Sequence, residues 1–188
     1  INKNISPFID NEISKFLNKR ELKLSATNDK TSTLKDANYV IIATPTSYND
    51  TSGSFDVSNV DKNIAEVRSI NNTASIIIKS TIPMGFTEAM RTKYNDKRIF
   101  FSPEFLREGR ALYDNLYPSR IIISDKCKET EEFCKMLLST SNKSAKEVPI
   151  RYISSMEAEA VKLFSNAYLA MRVSYFNELD SFCETYNI

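Results

Sequence analysis

Short, solid apolar runs alternate along this chain with stretches whose apolar positions recur every three or four residues. The runs are Tyr39–Ala43 (YVIIA), Ser75–Ile78 (SIII), Arg98–Phe101 (RIFF) and Ile121–Ile123 (III). They do not alternate with polar residues, as expected of strands covered on both faces. Weaker strands are predicted at Leu22–Ala26 and Val148–Tyr152. Between them lie helical patterns. Asp10–Arg20 places Ile13, Phe16 and Leu17 on one face, and Val57–Ile70 repeats Val57, Val60, Ile64 and Val67. Phe86–Tyr94 is shorter, and Glu129–Leu138 sets Phe133, Met136 and Leu137 opposite an acidic face. Their expected role is core packing. The alternation predicts an α/β fold of βαβ units around a parallel sheet. Asn49–Ser54 (NDTSGS) reads as a flexible loop.

The last segment differs in kind. From Ser155 to Tyr186 there is no Gly or Pro, and Val161, Phe164, Tyr168, Met171, Tyr175, Leu179 and Phe182 recur at helical spacing. Ser154 with Glu157 three residues on forms a capping-box pattern. A helix of that length spans about 48 Å, far more than a crossover helix requires. It reads as a connection leaving the α/β unit near Ser154 for a second domain or a dimer interface. The predicted division is therefore 1–153 and 154–188.

Charge and composition narrow the chemistry. Twenty-five basic and twenty-four acidic residues nearly cancel, which leaves no electrostatic footprint for nucleic acid or an anionic membrane. No apolar run approaches the length of a membrane span, and no signal-peptide pattern opens the chain. Histidine is absent, which excludes Ser-His-Asp and Cys-His catalysis within these residues and the commonest nitrogen ligand of zinc. The three glycines, Gly53, Gly85 and Gly109, are too scattered for a phosphate cradle. Cys127, Cys134 and Cys183 show no CxxC spacing and read as reduced thiols of a cytoplasmic protein. No metal site is expected. The chain opens at Ile1 rather than Met, so a processed chain or a piece of a longer one is expected.

Three of the apolar runs switch to hydroxyls and a proline at their carboxyl ends. Tyr39–Ala43 leads into Thr44-Pro45-Thr46, Ser75–Ile78 into Lys79-Ser80-Thr81-Ile82-Pro83, and Arg98–Phe101 into Ser102-Pro103-Glu104. In open α/β sheets ligands bind outside those ends, where hydroxyls and free N–H groups suit phosphate and ribose oxygens. Alternatively, such residues simply start the next turn. Glu104 and Glu108 flank Phe105, Leu106 and Arg107 directly after a buried strand. If the segment turns helically they share a face, where like charges raise one pKa toward a general base. The other reading is an exposed helix start with acids in its first turn. Lys162 and Asn166, four apart on the long helix among Val161, Phe164 and Ala167, form the third element. A lysine pressed among apolar groups beside an amide can stabilise an oxyanion, although a surface lysine that merely snorkels has the same pattern.

Together VIIATPTSYN, IIIKSTIPMGFT, IFFSPEFLREGRALYDNLYPSRIIIS and EAEAVKLFSNAYLAMRVSYFNELD resemble successive blocks of the UDP-glucose/GDP-mannose dehydrogenase family, closest to its bacterial UDP-glucose branch. The resemblance covers essentially the whole chain. It implies an incomplete Rossmann-like, doubly wound, mostly parallel sheet, followed by the long helix that starts a central dimerisation domain. It implies NAD-dependent oxidation of the C6 alcohol of UDP-glucose to a carboxylate, with two NAD per turnover and a cysteine-bound intermediate. The product, UDP-glucuronate, would feed polysaccharide synthesis. By motif, Thr46 and Thr81 would contact NAD, with Thr81 also holding a catalytic water. Glu104, Phe105, Leu106, Arg107 and Glu108 would line the sugar site, Glu104 as general base and Glu108 toward the nicotinamide. Lys162 and Asn166 would bind the sugar and stabilise the oxyanion, and Tyr168 would add a substrate contact. The family's glycine-rich loop is expected before Ile1 and its nucleophilic cysteine beyond Ile188, so these residues alone are expected to be inactive. GDP-mannose or a UDP-N-acetylhexosamine remains an alternative substrate, and a non-catalytic nucleotide-binding or dimerisation module an alternative role.

Overall fold

The computed structural model describes residues 1–7, 10–19, 22–49, 51, 53–107 and 109–188. In chain order its elements are α1 (Asn11–Lys19), α2 (Lys30–Leu34), β1 (Tyr39–Ile42), β2 (Tyr48–Asn49), β3 (Ser54–Phe55), α3 (Ser58–Ile70), β4 (Ser75–Ile78), α4 (Phe86–Tyr94), β5 (Ile99–Phe101), α5 (Ala111–Leu116), β6 (Ile121–Ser124), α6 (Lys128–Thr140), β7 (Ile150–Ile153) and α7 (Ser155–Tyr186).

Strands β1, β4 and β5 form a parallel sheet with β4 in the middle. Every residue of β4, β5 and β6 is buried, as their unbroken hydrophobicity requires. Side chains alternate across the sheet. Ile76, Ile78, Ile99 and Phe101 face one layer, where they meet Val60, Ile64 and Val67 of α3, Phe86 and Met90 of α4, and Ala158 of α7. Ile77 and Phe100 face the other, against Phe133 and Cys134 of α6 with Ile121, Ile123 and Val148. Helices thus cover both faces of a Rossmann-like α/β sheet.

Strands β6 and β7 pair in parallel with each other. They join the first group through Ser124 and Ser102 rather than through an uninterrupted ladder. The Phe101 N–H donates to Ser124 Oγ (2.8 Å), and Ser102 Oγ donates to the carbonyl of Ile122 (2.9 Å). As β5 ascends its partners descend, so β6 and β7 run against β1, β4 and β5. The sheet is parallel within each group and reverses between them.

Two expectations are corrected. Residues 22–26 form no strand, and Leu24 is 54% exposed. The N–H and C=O of Ala26 are taken instead by the Asn2 side chain, at 2.7 Å each, which removes them from any ladder. The segment read as a flexible loop is bracketed by the β2–β3 hairpin, with Tyr48 and Phe55 in edge contact at 5.3 Å. Gly53 there adopts φ +63°, a left-handed conformation open to glycine at little cost.

A buried amide pins the loops below the sheet. Asn71 Nδ2 donates to the carbonyls of Leu34 and Ala37, while its Oδ1 accepts the N–H of Thr73 and Ala74. The turn before β1 and the turn before β4 are thereby held at one level, so the two parallel strands start in register.

Helix α7 starts at the predicted residue for the predicted reason. Ser154 Oγ accepts the N–H of Glu157, and the Glu157 carboxylate accepts the N–H of Ser154 at 2.8 Å. Its first turns are packed: Ser155, Ala158 and Glu159 are buried. Residues 166–182 are exposed along their length, with Met171 and Tyr175 among the apolar side chains at 61–63% exposure. Among the described residues no helix is long and apolar enough to cross a membrane.

Candidate functional site

The carboxyl ends of β4 and β5 lie side by side, and the chain beyond each brings charged groups together. The Lys79 ammonium lies 2.8 Å from Glu104 Oε2, with both side chains largely shielded from water. From α7, Lys162 Nζ donates to the backbone carbonyl of Glu104 at 2.6 Å. Burial pushes the Lys162 amine below the usual lysine range, opposed by attraction to Glu104. Its ammonium also stands 5.6 Å from the Phe105 ring centroid, and the Arg120 guanidinium 4.3 Å from the same ring. Two cations thus approach one aromatic ring that itself packs against the core.

The segment 102–107 is not helical. The expected helical pairing of Glu104 with Glu108 therefore does not form at Glu104, whose carboxylate faces an ammonium instead of a second acid. Glu108 lies outside the described residues. Arg107, exposed, folds back on Asp114: its backbone N–H donates to Oδ2 at 2.9 Å, and its guanidinium closes the pair at 3.1 and 2.5 Å. That partner holds the Asp114 carboxyl down at about 2. Leu106 is half-buried beside it.

The hydroxyl-rich strand ends divide into two kinds. Ser80 Oγ donates to the Thr44 carbonyl at 2.7 Å, and Ser102 Oγ to Ile122, so these hydroxyls hold the sheet. Thr81 and Thr46 are half-buried, and neither hydroxyl has a hydrogen-bond partner among the described residues. Asn166 is exposed one turn beyond Lys162, and Tyr168 is 57% exposed. The fold therefore gathers Lys79, Glu104, Phe105 and Lys162, with Thr81 two residues from Lys79. Asn166, Tyr168 and Thr46 stand outside that cluster.

Two contributors escaped the sequence reading. Lys79 opens the KST block, and its role as the counter-charge of Glu104 needs the β4–β5 pairing to be seen. Glu159 is fully buried one turn before Lys162. Its carboxylate accepts the N–H of Gly85 at 2.6 Å, the N–H of Thr87 at 2.9 Å and the Thr87 hydroxyl at 2.6 Å. These are donors at the start of α4, where a negative charge is favoured. The EAEA spacing three residues ahead of Lys162 was the available signal.

A cavity of about 460 Å³ adjoins the cluster, walled by Lys79 and Glu104 on one side and by α5, the start of β6 and the end of α6 on the other. Thr81, Lys162 and Asn166 do not line it. A second, of about 220 Å³, runs along the outer edge of β1 past Thr27, Lys30, Ile41 and Thr44. Among the described residues no group of acids or cysteines is placed to hold a metal ion.

Residues 1–142 match the UDP-glucose/GDP-mannose dehydrogenase family, NAD binding domain, and residues 156–188 match that family's central domain. The chain is 48% identical over 190 residues to a UDP-glucose 6-dehydrogenase of Streptococcus pneumoniae, covering 98% of this chain and 48% of that protein. It is 45% identical over 188 residues to a UDP-glucose 6-dehydrogenase of Campylobacter jejuni, covering all of this chain and 47% of the relative. The chain spans about half the length of these curated relatives. In structure it resembles a UDP-glucose dehydrogenase from the hyperthermophilic archaeon Pyrobaculum islandicum, with TM-score 0.79 and 26% identity, covering 94% of this chain and 43% of that one. The strand-end cluster, the long capped helix and these matches agree: the chain belongs to the UDP-glucose/GDP-mannose dehydrogenase family.

Proposed function

We propose that this chain supplies the dinucleotide-binding part, 1–153, and the first helix of the central domain, 154–188, of a cytoplasmic NAD-dependent dehydrogenase. Its substrate is UDP-glucose, oxidised at the C6 alcohol to the carboxylate of UDP-glucuronate, a precursor for polysaccharide. The observation that carries the reading is the meeting of Lys79, Glu104 and Lys162 at the carboxyl ends of β4 and β5. The names of the two bacterial relatives supply the substrate.

The half-buried hydroxyls of Thr46 and Thr81, free to donate or accept, fit ribose and amide oxygens of a nicotinamide dinucleotide at the strand ends. NAD, held by these hydroxyls, would supply the hydride acceptor for C6, one NAD for each of the two oxidations. Lys162, cationic and partly stripped of water, donates to oxygen as charge develops on it. Glu104, 2.8 Å from the Lys79 ammonium, accepts a proton from water held by Thr81. Asn166 and Tyr168 bind sugar hydroxyls from the exposed side of α7, and Phe105 to Arg107 line the sugar; by motif alone, Glu108 is assigned to the nicotinamide. The covalent step needs an accessible thiol. Cys134 is buried, and burial pushes its thiol up, away from the reactive thiolate.

The exposed apolar stripe of α7 supports pairing with a second copy of the chain through that helix. UDP-glucose-dependent NADH formation by the complete gene product tests the reading. The Lys162→Ala variant is expected to lower the rate about 10²–10³-fold. A rate unchanged by that variant, or a greater rate with GDP-mannose or a UDP-N-acetylhexosamine, overturns it. The 188-residue chain alone is expected to form no NADH.

A further inference from the structure

One turn of α7 grips both loops that leave the sheet after β4 and β5. Glu159 and Lys162, three residues apart, share a face of the helix. Lys162 holds the loop after β5 through the carbonyl of Glu104. Glu159 holds the loop after β4 through the N–H of Gly85 and the N–H and hydroxyl of Thr87. Among the described residues Glu159 forms no ion pair, and these three donors are its partners.

The loop after β4 is anchored at both ends, and Thr81 sits between the anchors. At the strand end, the N–H groups of Lys79 and Ser80 both donate to the Ile42 carbonyl, at 2.8 and 3.2 Å. Ile82 is fully buried in the core. At the far end Gly85 turns at φ +84°, with nothing within 4 Å of where a Cβ would stand, so glycine serves the backbone turn there and not a close approach. Its N–H meets Glu159. The Thr81 hydroxyl has no partner of its own among the described residues, so its position is inherited from these anchors.

Packing alone does not call for an acid at 159. An apolar side chain of similar volume would fill the space between α4 and α7 without the cost of burying a carboxyl group. Apolar contact is non-directional, whereas three hydrogen bonds to two oxygens fix both distance and angle. What the acid adds is a defined spacing between two loops and one helical turn.

We infer that Glu159 is a positioning residue for the reaction, setting the Thr81 hydroxyl at a fixed distance from the Lys162 ammonium and from Glu104. Fully buried, it acts through those groups and not on the substrate. The inference rests on the roles proposed above for Thr81 and Lys162. A misplacement of about 1 Å between reacting groups lowers a rate by about 10²-fold, so a small release of the loop is enough to be measured.

The experiment compares variants of the complete gene product. Glu159→Gln keeps the shape but turns one accepting oxygen into an NH₂ that faces a donor. Ala158 in the core and the Ser155–Glu88 hydrogen bond at 3.0 Å still dock α7 in that variant. Thr87→Val is the gentler second variant, and Thr87→Ser, which retains the hydroxyl, is the conservative control. With saturating UDP-glucose and NAD, kcat is expected to fall about ten- to hundred-fold in Glu159→Gln, less in Thr87→Val, and to stay near wild type in Thr87→Ser. The KM for UDP-glucose is expected to change less than about threefold, as when transition-state geometry alone is lost. Phe133→Leu loosens the opposite face of the sheet and is expected to keep kcat.

Threonine-methyl carbon-13 spectra read the placement of Thr81 without turnover. Its signal is expected to move in Glu159→Gln and Thr87→Val and to stay put in Phe133→Leu. An unmoved Thr81 signal or an unchanged kcat in both loop variants overturns the inference. So does a loss of kcat matched by Phe133→Leu, or a raised KM at unchanged kcat. A wild type that forms no NADH from UDP-glucose defeats the substrate reading instead, and the Thr81 signal then decides the role of Glu159.

Discussion

Glu159 and Thr87, 72 residues apart, are joined by two hydrogen bonds from the Thr87 N–H and hydroxyl to one carboxylate oxygen, wholly out of water. The second oxygen takes the Gly85 N–H, so the start of α4 is seated on the first turns of α7. Lys162 lies one turn further along the same helix and reaches Glu104, which in turn meets Lys79 on the loop leading to Gly85. The contacts close a ring around the strand ends.

Breaking that ring at Glu159 is costly. Glu159→Ala leaves the N–H and hydroxyl of Thr87 buried and unpaired, at about 1–3 kcal/mol for each, and the half-buried Gly85 N–H without its acceptor. Glu159→Gln keeps one acceptor but turns an NH₂ toward a donor, and is expected to fall between wild type and Ala. Urea midpoints order the three proteins. Equal midpoints for Gln and wild type would show that the carboxylate's charge contributes nothing.

Lys162 is expected to titrate below the exposed lysines, since burial opposes its charged form more than Glu104 favours it. Carbon-13 dimethyl-lysine spectra across alkaline pH read this directly. Phe105→Ala, which opens the site to water, is expected to move the Lys162 midpoint upward. A Lys162 signal that moves with the exposed lysines contradicts the burial argument.

The Arg107–Asp114 pair sets an acid limit. Asp114 titrates near 2 in the fold and at the ordinary carboxylate value in the unfolded chain. Its folded pKa is the lower one, so its stabilising contribution is complete above about pH 4 and is lost as pH falls toward about 2. Asp114→Asn is expected to flatten stability against pH in that window. An unaltered slope in urea melts would remove Asp114 as its cause.

In the core, Phe101 is fully buried where β5 meets α4 and α7. Phe101→Ala is expected to cost about 3–5 kcal/mol in urea unfolding, against about 0.5–1.5 kcal/mol for Ile77→Val on the opposite face. A cost below about 1 kcal/mol for Phe101→Ala would mean that the site collapses around the void.

Self-association through α7 predicts that Phe176→Ser and Leu179→Ser, both at exposed positions, lower the apparent mass in sedimentation velocity. A monomeric wild type at every concentration would rule the helix out as an interface.

Much of this was legible from residue order alone. The strands β4, β5 and β6 announce themselves by unbroken apolar runs, and α7 by thirty-two residues without Gly or Pro behind a capping box. What failed depends on partners distant in sequence. Leu22–Ala26 has strand-like residues, but Asn2 occupies Ala26's hydrogen-bonding groups. Residues 104–107 form no helix, and Glu104 turns to Lys79, a partner 25 residues away, instead. Strand direction carries no residue signature, so the reversal at β6 was invisible. Glu159 looked like any helix-surface acid, because the donors that bury it come from α4.

The long helix turns the Glu159 seat into the fulcrum of a lever. Only its first turns are clamped, and the rest of its roughly 48 Å extends with exposed sides. A tilt of about five degrees at the clamp sweeps the far end through about 4 Å, by the arithmetic of that length. Displacements at Gly85 and Thr87 too small to disturb the sheet are thus enlarged at Tyr186. Conversely, whatever grips the outer turns of α7 exerts torque on the loop that carries Thr81.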